Sequence, residues 1–217
     1  MVIIFDAMDI DYIFLHAYNL GYLEIMLISF ISSIIIFVPV PYVPVLIAGA
    51  FNAQLDPHII SIVTAISVTA GRTIIFMISY YGYKILKEKT KNRLLPLQRL
   101  LSRYGWIGAF IAALTPFPPD DVLIILLGIS KYNPFKFVLA NFAGKIIANE
   151  IIIWSTVILG KPFVEKFLTT SFDPFSILII SIAVIILTIL LIYLLFKINW
   201  SNIIGKWFPW TTKNDYD

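Results

Sequence analysis

The stretch Leu114-Thr115-Pro116-Phe117-Pro118-Pro119-Asp120-Asp121 decides how this chain is read. It interrupts an otherwise apolar run, Trp106 to Ser130, with three prolines in four residues and two adjacent carboxylates. Proline removes a backbone donor and clashes with the preceding turn, so a helix does not continue through it. The arms left over, Trp106 to Thr115 and Val122 to Ser130, are roughly 10 and 9 residues long. At ~1.5 Å per residue each reaches about half of the ~30 Å hydrocarbon core. An element that enters halfway, turns and leaves on the same side is a re-entrant hairpin. Non-helical backbone at that depth is tolerated only where protein buries it or a wet cavity faces it.

Composition makes the bilayer the solvent. Of 217 residues, 59% are hydrophobic and 13% charged, against about 25% charged in soluble domains. The absence of cysteine excludes disulfides, thiolate metal sites and cysteine nucleophiles. His16 and His58 lie too far apart for metal-ligand spacing, so neither metal nor cofactor is expected. Met1 to Leu20 holds Asp6, Asp9 and Asp11 and no Lys or Arg, unlike a signal peptide. One membrane domain, 1–217, accommodates the whole length.

The first apolar block, Leu20 to Val38, ends at Pro39-Val40-Pro41, with Pro44 just beyond. Its sequel, Val45 to Ala53, is again half a bilayer long, whereas the first arm of 19 residues is long enough to span. Sequence leaves open whether that arm spans or is half of a hairpin. Ile59 to Tyr83, Phe135 to Leu159 and a final aliphatic run at 174–196 have spanning length. The expected fold is an all-α integral membrane protein: two opposed re-entrant hairpins plus three or four transmembrane helices.

Charge orients it. The loop 84–103 carries Lys84, Lys87, Lys89, Lys91, Arg93, Arg99 and Arg103 against Glu88 alone. By the positive-inside tendency this loop and the C-terminus are cytoplasmic, and the loop 161–173 is outside. Leu94, Leu97, Leu101 and Tyr104 form a stripe along the basic segment. It fits either a helix lying on an anionic membrane face or a plain solvated loop.

Two halves, 20–84 and 104–161, repeat an order of features. Pro39 and Pro41, Gly49, Asp56-Pro57, Ala70-Gly71-Arg72 and Gly82 correspond to Pro116 and Pro118, Gly128, Asn133-Pro134, Ala143-Gly144-Lys145 and Gly160. Charge placement gives the halves opposite orientation, an arrangement that transporters use around a midplane site. Ionisable groups within such segments cost about 2.5–3.5 kcal/mol at mid-bilayer and mark function. Here they are Arg72, Asp120, Asp121, Lys145 and Glu150. Asn141, Lys145 and Asn149 recur every four residues, giving one helix a polar face. Glu150, about 140° around from Lys145, does not pair with it within the helix. One of Asp120 and Asp121 is expected to cap the second arm. The other is expected to pair with Lys145 or Arg72, leaving a cation for a phosphate headgroup.

The chain resembles the DedA superfamily, also called the VTT or SNARE-associated Golgi family. The residues that carry the resemblance are Pro39-Val-Pro41 through Leu46-Ile-Ala-Gly49, the helix from Gly71 to Gly82, Leu114-Thr-Pro-Phe-Pro-Pro-Asp-Asp with Leu127-Gly128, and Asn133-Pro-Phe-Lys-Phe with Asn141-Phe-Ala-Gly144. They cover a core of about 20–160. The resemblance implies two opposed hairpins and movement of lipids between leaflets. The form Thr-Pro-Phe-x-Pro is closer to archaeal and eukaryotic scramblase-like members than to bacterial undecaprenyl-phosphate flippases. The pattern departs from the bacterial one in three places. Tyr42 to Pro44 holds no acid, Ala113 and Pro119 stand where arginines are usual, and Arg72 stands near where an acid is usual.

The expected function is therefore lipid transport, scrambling or flipping phospholipid or polyprenyl phosphate, with membrane lipids as partners and no nucleic acid. The alternatives are an ion- or proton-coupled small-solute transporter and, third, an intramembrane metal-dependent lipid phosphatase. Neighbouring carboxylates without a second acidic motif fit the last poorly, and no enzyme activity is expected.

Overall fold

The computed structural model describes residues 21–35, 42–115, 120–171, 174–198 and 200–211. Pro39, Pro41, Pro116, Pro118 and Pro119 lie outside the described residues, while Pro44 occupies the first turn of a helix. Among the described residues the regular structure is helical: α1 (Tyr22–Ile34), α2 (Val43–Ala50), α3 (Pro57–Gly82), α4 (Glu88–Leu114), α5 (Asp120–Ile129), α6 (Pro134–Ser171), α7 (Pro174–Lys197) and α8 (Trp200–Trp207). Short 3-10 turns follow α3 at Tyr83–Ile85 and α8 at Pro209–Thr211.

Local chemistry sets the starts of the two long helices. Asp56 accepts from the backbone N–H of His58 (2.8 Å) and Ile59 (3.1 Å), and Pro57 opens α3. Asn133 accepts from the Lys136 N–H at 3.1 Å, and Pro134 opens α6. An Asx cap followed by proline suits a helix start because the missing N–H is one that no helix bond would use. The stretches Pro57–Ile85 (29 residues) and Pro134–Gly160 (27 residues) are long and apolar enough to cross a membrane. Along α3, Ile59, Ile62, Ile66, Ile74 and Ile78 are exposed, whereas Ser61, Thr64 and Ser67 are buried. Five isoleucines face outward while three hydroxyls are buried beside Ile60 and Ile75, a distribution that suits an apolar surround.

Two segments differ from the sequence expectation. The basic stretch 84–103 is no separate loop, because α4 runs unbroken from Glu88 through Pro96 to Leu114. The chain beyond Gly160 is helical to Ser171, and only Gly160 itself (φ 71°) departs from helical geometry.

The chain divides into two compact units, Met1–Gly71 with Lys145–Ile185, and Arg72–Gly144 with Ile186–Asp217. In the first unit, Ile25 of α1, Leu46 of α2, Ile60 of α3 and Ile153 of α6 form a buried cluster. Further along, the Ser33 side chain fills the space a Cβ on Gly71 would need, so α1 and α3 run side by side in one direction. The backbone N–H of Asp56 donates to the Tyr22 hydroxyl at 2.8 Å. The chain from Tyr22 to Asp56 thus begins and ends at one level.

In the second unit, Gly105 and Gly108 of α4 face Leu127 and Leu123 of α5, so these helices are antiparallel. Phe76 of α3 stacks on Phe137 of α6, ring centroids 4.4 Å apart. A Cβ on Gly128 would lie 2.6 Å from the Phe76 carbonyl oxygen, and one on Gly144 would lie 2.7 Å from the Phe110 carbonyl oxygen. Only glycine allows these backbones to approach so closely. Leu94 and Leu97 are covered by Ile129 and Ile204, and Leu101 packs against them, so that three of the stripe's four residues pack on protein.

At the end of α5, Lys131 takes the left-handed conformation (φ 57°), a position that favours glycine. The N–H groups of Lys131 and Tyr132 close a Schellman motif on the Gly128 and Leu127 carbonyls. Its ammonium donates to the Tyr80 carbonyl near the end of α3 (2.5 Å) and lies 3.9 Å from the Tyr80 ring centre. A cation there complements the carbonyl end of the helix. Burial, and after it the Lys84 ammonium, hold the Lys131 ammonium below the ordinary lysine value. The unfolded chain then keeps this proton to higher pH than the folded one. Stability should rise with pH from the lowered value up to the usual ~10.5 and level off above it.

Two stability predictions come from these contacts. Gly144→Ala should destabilise by about 1–3 kcal/mol, because a backbone atom blocks the new methyl. Gly82→Ala, with helical φ and nothing within 4 Å of its Cβ position, should be neutral or stabilising by up to about 1 kcal/mol. Thermal unfolding in detergent reads both. Lys131→Ala should cost more than Lys131→Gly by about 1 kcal/mol, since glycine keeps the backbone unstrained. Either substitution should flatten the alkaline rise in stability.

Candidate functional site

The repeated element Gly-cation lies on the two long helices, Gly71-Arg72 on α3 and Gly144-Lys145 on α6. In both, the glycine receives a neighbouring helix: α1 through Ser33, and the last turns of α4 through Phe110 and Ala113. In both, the following cation lies at the start of a short helix. In the second unit the Arg72 guanidinium donates to the Asp121 carboxylate in the first turn of α5. In the first unit the Lys145 ammonium lies 5.6 Å from the ring centre of Tyr42, the residue that precedes α2.

The two surroundings differ in chemistry. The Arg72–Asp121 pair is 14% exposed on both sides, so each charge is largely desolvated and stands on the other. A carboxylate at a helix start also satisfies the positive end of the dipole. Asp120 opens α5, and its side chain lies outside the described residues. Lys145 is 2% exposed, with the Tyr42 ring beside it.

Polar groups are concentrated around Lys145. Among the described residues fourteen polar ones are buried, and eleven of these belong to the first unit, among them Ser29, Ser61, Thr64, Ser67, Lys145 and Asn149. Asn149 is fully buried and donates through Nδ2 to the Ser61 carbonyl (3.1 Å). Its Oδ1 has no hydrogen-bond partner among the described residues, nor do the hydroxyls of Ser29, Tyr42 and Thr64. A buried polar atom without a partner costs about 1–3 kcal/mol, so four in one unit mark a place built for water or a polar ligand.

The remaining candidates are placed as follows. Asn141 is buried in the second unit, one turn from Lys145 along α6. Glu150 stands apart from that face. Its carboxylate lies 3.1 Å from His58 Nδ1 and accepts from Trp154 Nε1 at 3.0 Å. His58 and Tyr42 were not singled out from sequence. His58 is 92 residues from Glu150, and Tyr42 looked like a break residue without charge.

The VTT domain profile matches residues 38–158, more than half of the chain. The chain belongs to the VTT-domain (DedA) family. A protein of Haemophilus influenzae described as an uncharacterized membrane protein is 29% identical over 115 residues, covering 50% of this chain and 54% of that relative. The match thus spans about half the length of the curated relative. No solved structure matches. The match to the VTT domain contains both Gly-cation elements, both short helices and the polar residues from Tyr42 to Asn149. This VTT-domain chain is accordingly a membrane protein whose buried charges lie within the family's own segment.

The ion pair makes a direct prediction. Asp121→Ala alone should cost about 3–5 kcal/mol by stranding the Arg72 guanidinium, while the double change Arg72→Leu with Asp121→Leu should recover most of that loss. Unfolding in detergent reads the double-mutant cycle.

Proposed function

We propose that this protein moves anionic lipids between the leaflets of a bilayer, by scrambling or flipping, with the phosphate-bearing headgroup passing the Lys145 face of the first unit. The observation that carries this reading is a buried cation among unpartnered polar atoms in a chain whose exterior is aliphatic. A lipid headgroup brings the oxygens and charge such a place can use, and its acyl chains stay in the surrounding hydrocarbon.

Two opposed re-entrant hairpins in an inverted repeat belong to the same proposal. The first is supported by the return of the chain from Tyr22 to the Asp56 N–H over helices of only 13 and 8 residues, about 20 and 12 Å long. The second is supported by the antiparallel pairing of α4 and α5. Helices α3, α6 and α7 then cross the bilayer. The basic start of α4 and the C-terminus face the cytoplasm by charge.

Purified protein in vesicles should expose fluorescent phosphatidylglycerol or polyprenyl phosphate to an external quencher faster than empty vesicles do. Lys145→Gln should slow this about tenfold or more, the worth of a charge-assisted hydrogen bond. Asn149→Leu should slow it less. No movement of either lipid class above empty vesicles, or an unchanged rate in Lys145→Gln, defeats the proposal. Charge movement with a solute gradient and no lipid exchange would favour a small-solute transporter.

A further inference from the structure

The C-terminal segment after α7 packs one face on the second unit and exposes the other. Its helix α8 begins three residues after Lys197, the last residue of α7. Three residues of chain span at most about 11 Å, so α8 cannot leave the level at which α7 ends. One face of the segment is fixed to protein. Ile204 is buried with Leu94, Leu97 and Ile129, and the Thr211 carbonyl accepts from Arg99 at 3.0 Å. That attachment turns the other face outward. Ile203 is 50% exposed and Trp207, one turn on, 77%; Phe208 and Trp210 are exposed beside them.

Among the described residues the charges at this face have one sign. Lys206 is exposed on α8. Arg103 of α4 is exposed, with its guanidinium 5.5 Å from the Trp210 ring centre and 5.6 Å from that of Tyr104. No Asp or Glu occurs between Lys89 and Pro119 or between Pro174 and Thr211. An outward face of tryptophan and isoleucine, rimmed by cations and held at the end of a 24-residue aliphatic helix, matches the headgroup layer of an anionic leaflet.

We propose that α8 and the turn after it, with Arg103, form a binding site for anionic phospholipid: Ile203 and Trp207 enter the interface while Arg103 and Lys206 hold the phosphate. The site rests on α7 crossing the bilayer and is independent of whether lipids are transported. Its occupant is a lipid surface, because the chain brings the patch to the end of the helix that crosses.

The chain has no cysteine, so Ile203→Cys gives one labelling position in the full-length protein. A fluorophore there, with the protein in vesicles of phosphatidylcholine and phosphatidylglycerol, is quenched by whichever lipid carries bromine on its chains. The expected result is stronger quenching by brominated phosphatidylglycerol. Arg103→Gln and Lys206→Gln should each lower that preference about fivefold, the worth of one cation near an anionic surface. Both positions are exposed, and an elution volume equal to the parent's shows that the variants remain folded. Equal quenching by the two lipids overturns the anionic preference. Quenching by aqueous iodide but by neither lipid overturns the lipid surface altogether and leaves a second copy or another protein as the occupant.

Discussion

Hydrocarbon offers no hydrogen-bond partner, and every feature of this chain that looks costly is arranged around that constraint. A helix that ends inside a bilayer exposes backbone groups that water would otherwise satisfy. The helices pack closely against one another through glycine. Gly71 admits α1, Gly128 admits the Phe76 turn of α3, and Gly144 admits the last turns of α4. Close backbone approach leaves no room for lipid at these contacts. A cation follows the glycine in two of the three, and each of those cations lies at the start of a short helix. The positive end of a helix is a poor neighbour for a cation unless a negative group lies between them. Asp121 is that group for Arg72.

Much of this was legible in the sequence because proline, Asx-Pro and glycine act locally. The caps at Asp56 and Asn133 and the starts of α3 and α6 follow from side chains within three residues of where they act. The correspondence of Gly71-Arg72 with Gly144-Lys145 was readable as a pattern, although its packing role was not. The partner of Arg72 lies 49 residues away, and spacing could only offer Asp120 or Asp121 to Arg72 or Lys145. Tyr42 escaped notice because an aromatic ring near a cation carries no charge signature. The His58–Glu150 contact escaped because it joins the first turn of α3 to the fifth turn of α6. Charge and spacing left 84–103 open between a helix and a solvated loop; the structure makes Glu88 onward helical. Leu94 and Leu97 bury against Ile129 and Ile204, and Pro96 does not interrupt α4.

The two Gly-cation elements also show why near-symmetry matters for chemistry. Arg72 pairs with Asp121, whereas the Lys145 ammonium lies beside the Tyr42 ring. The buried atoms with unmet hydrogen bonds at Ser29, Tyr42, Thr64 and Asn149 collect in the unit that holds Lys145. Removing water and ligand from such a place costs free energy in proportion to the number of orphaned groups. Folding alone gives no reason to accept that cost four times, since leucine or alanine at the same positions would remove it. A polar molecule that comes and goes does give one: bound, it relieves the deficit, and because its affinity is limited by that deficit, it can also leave.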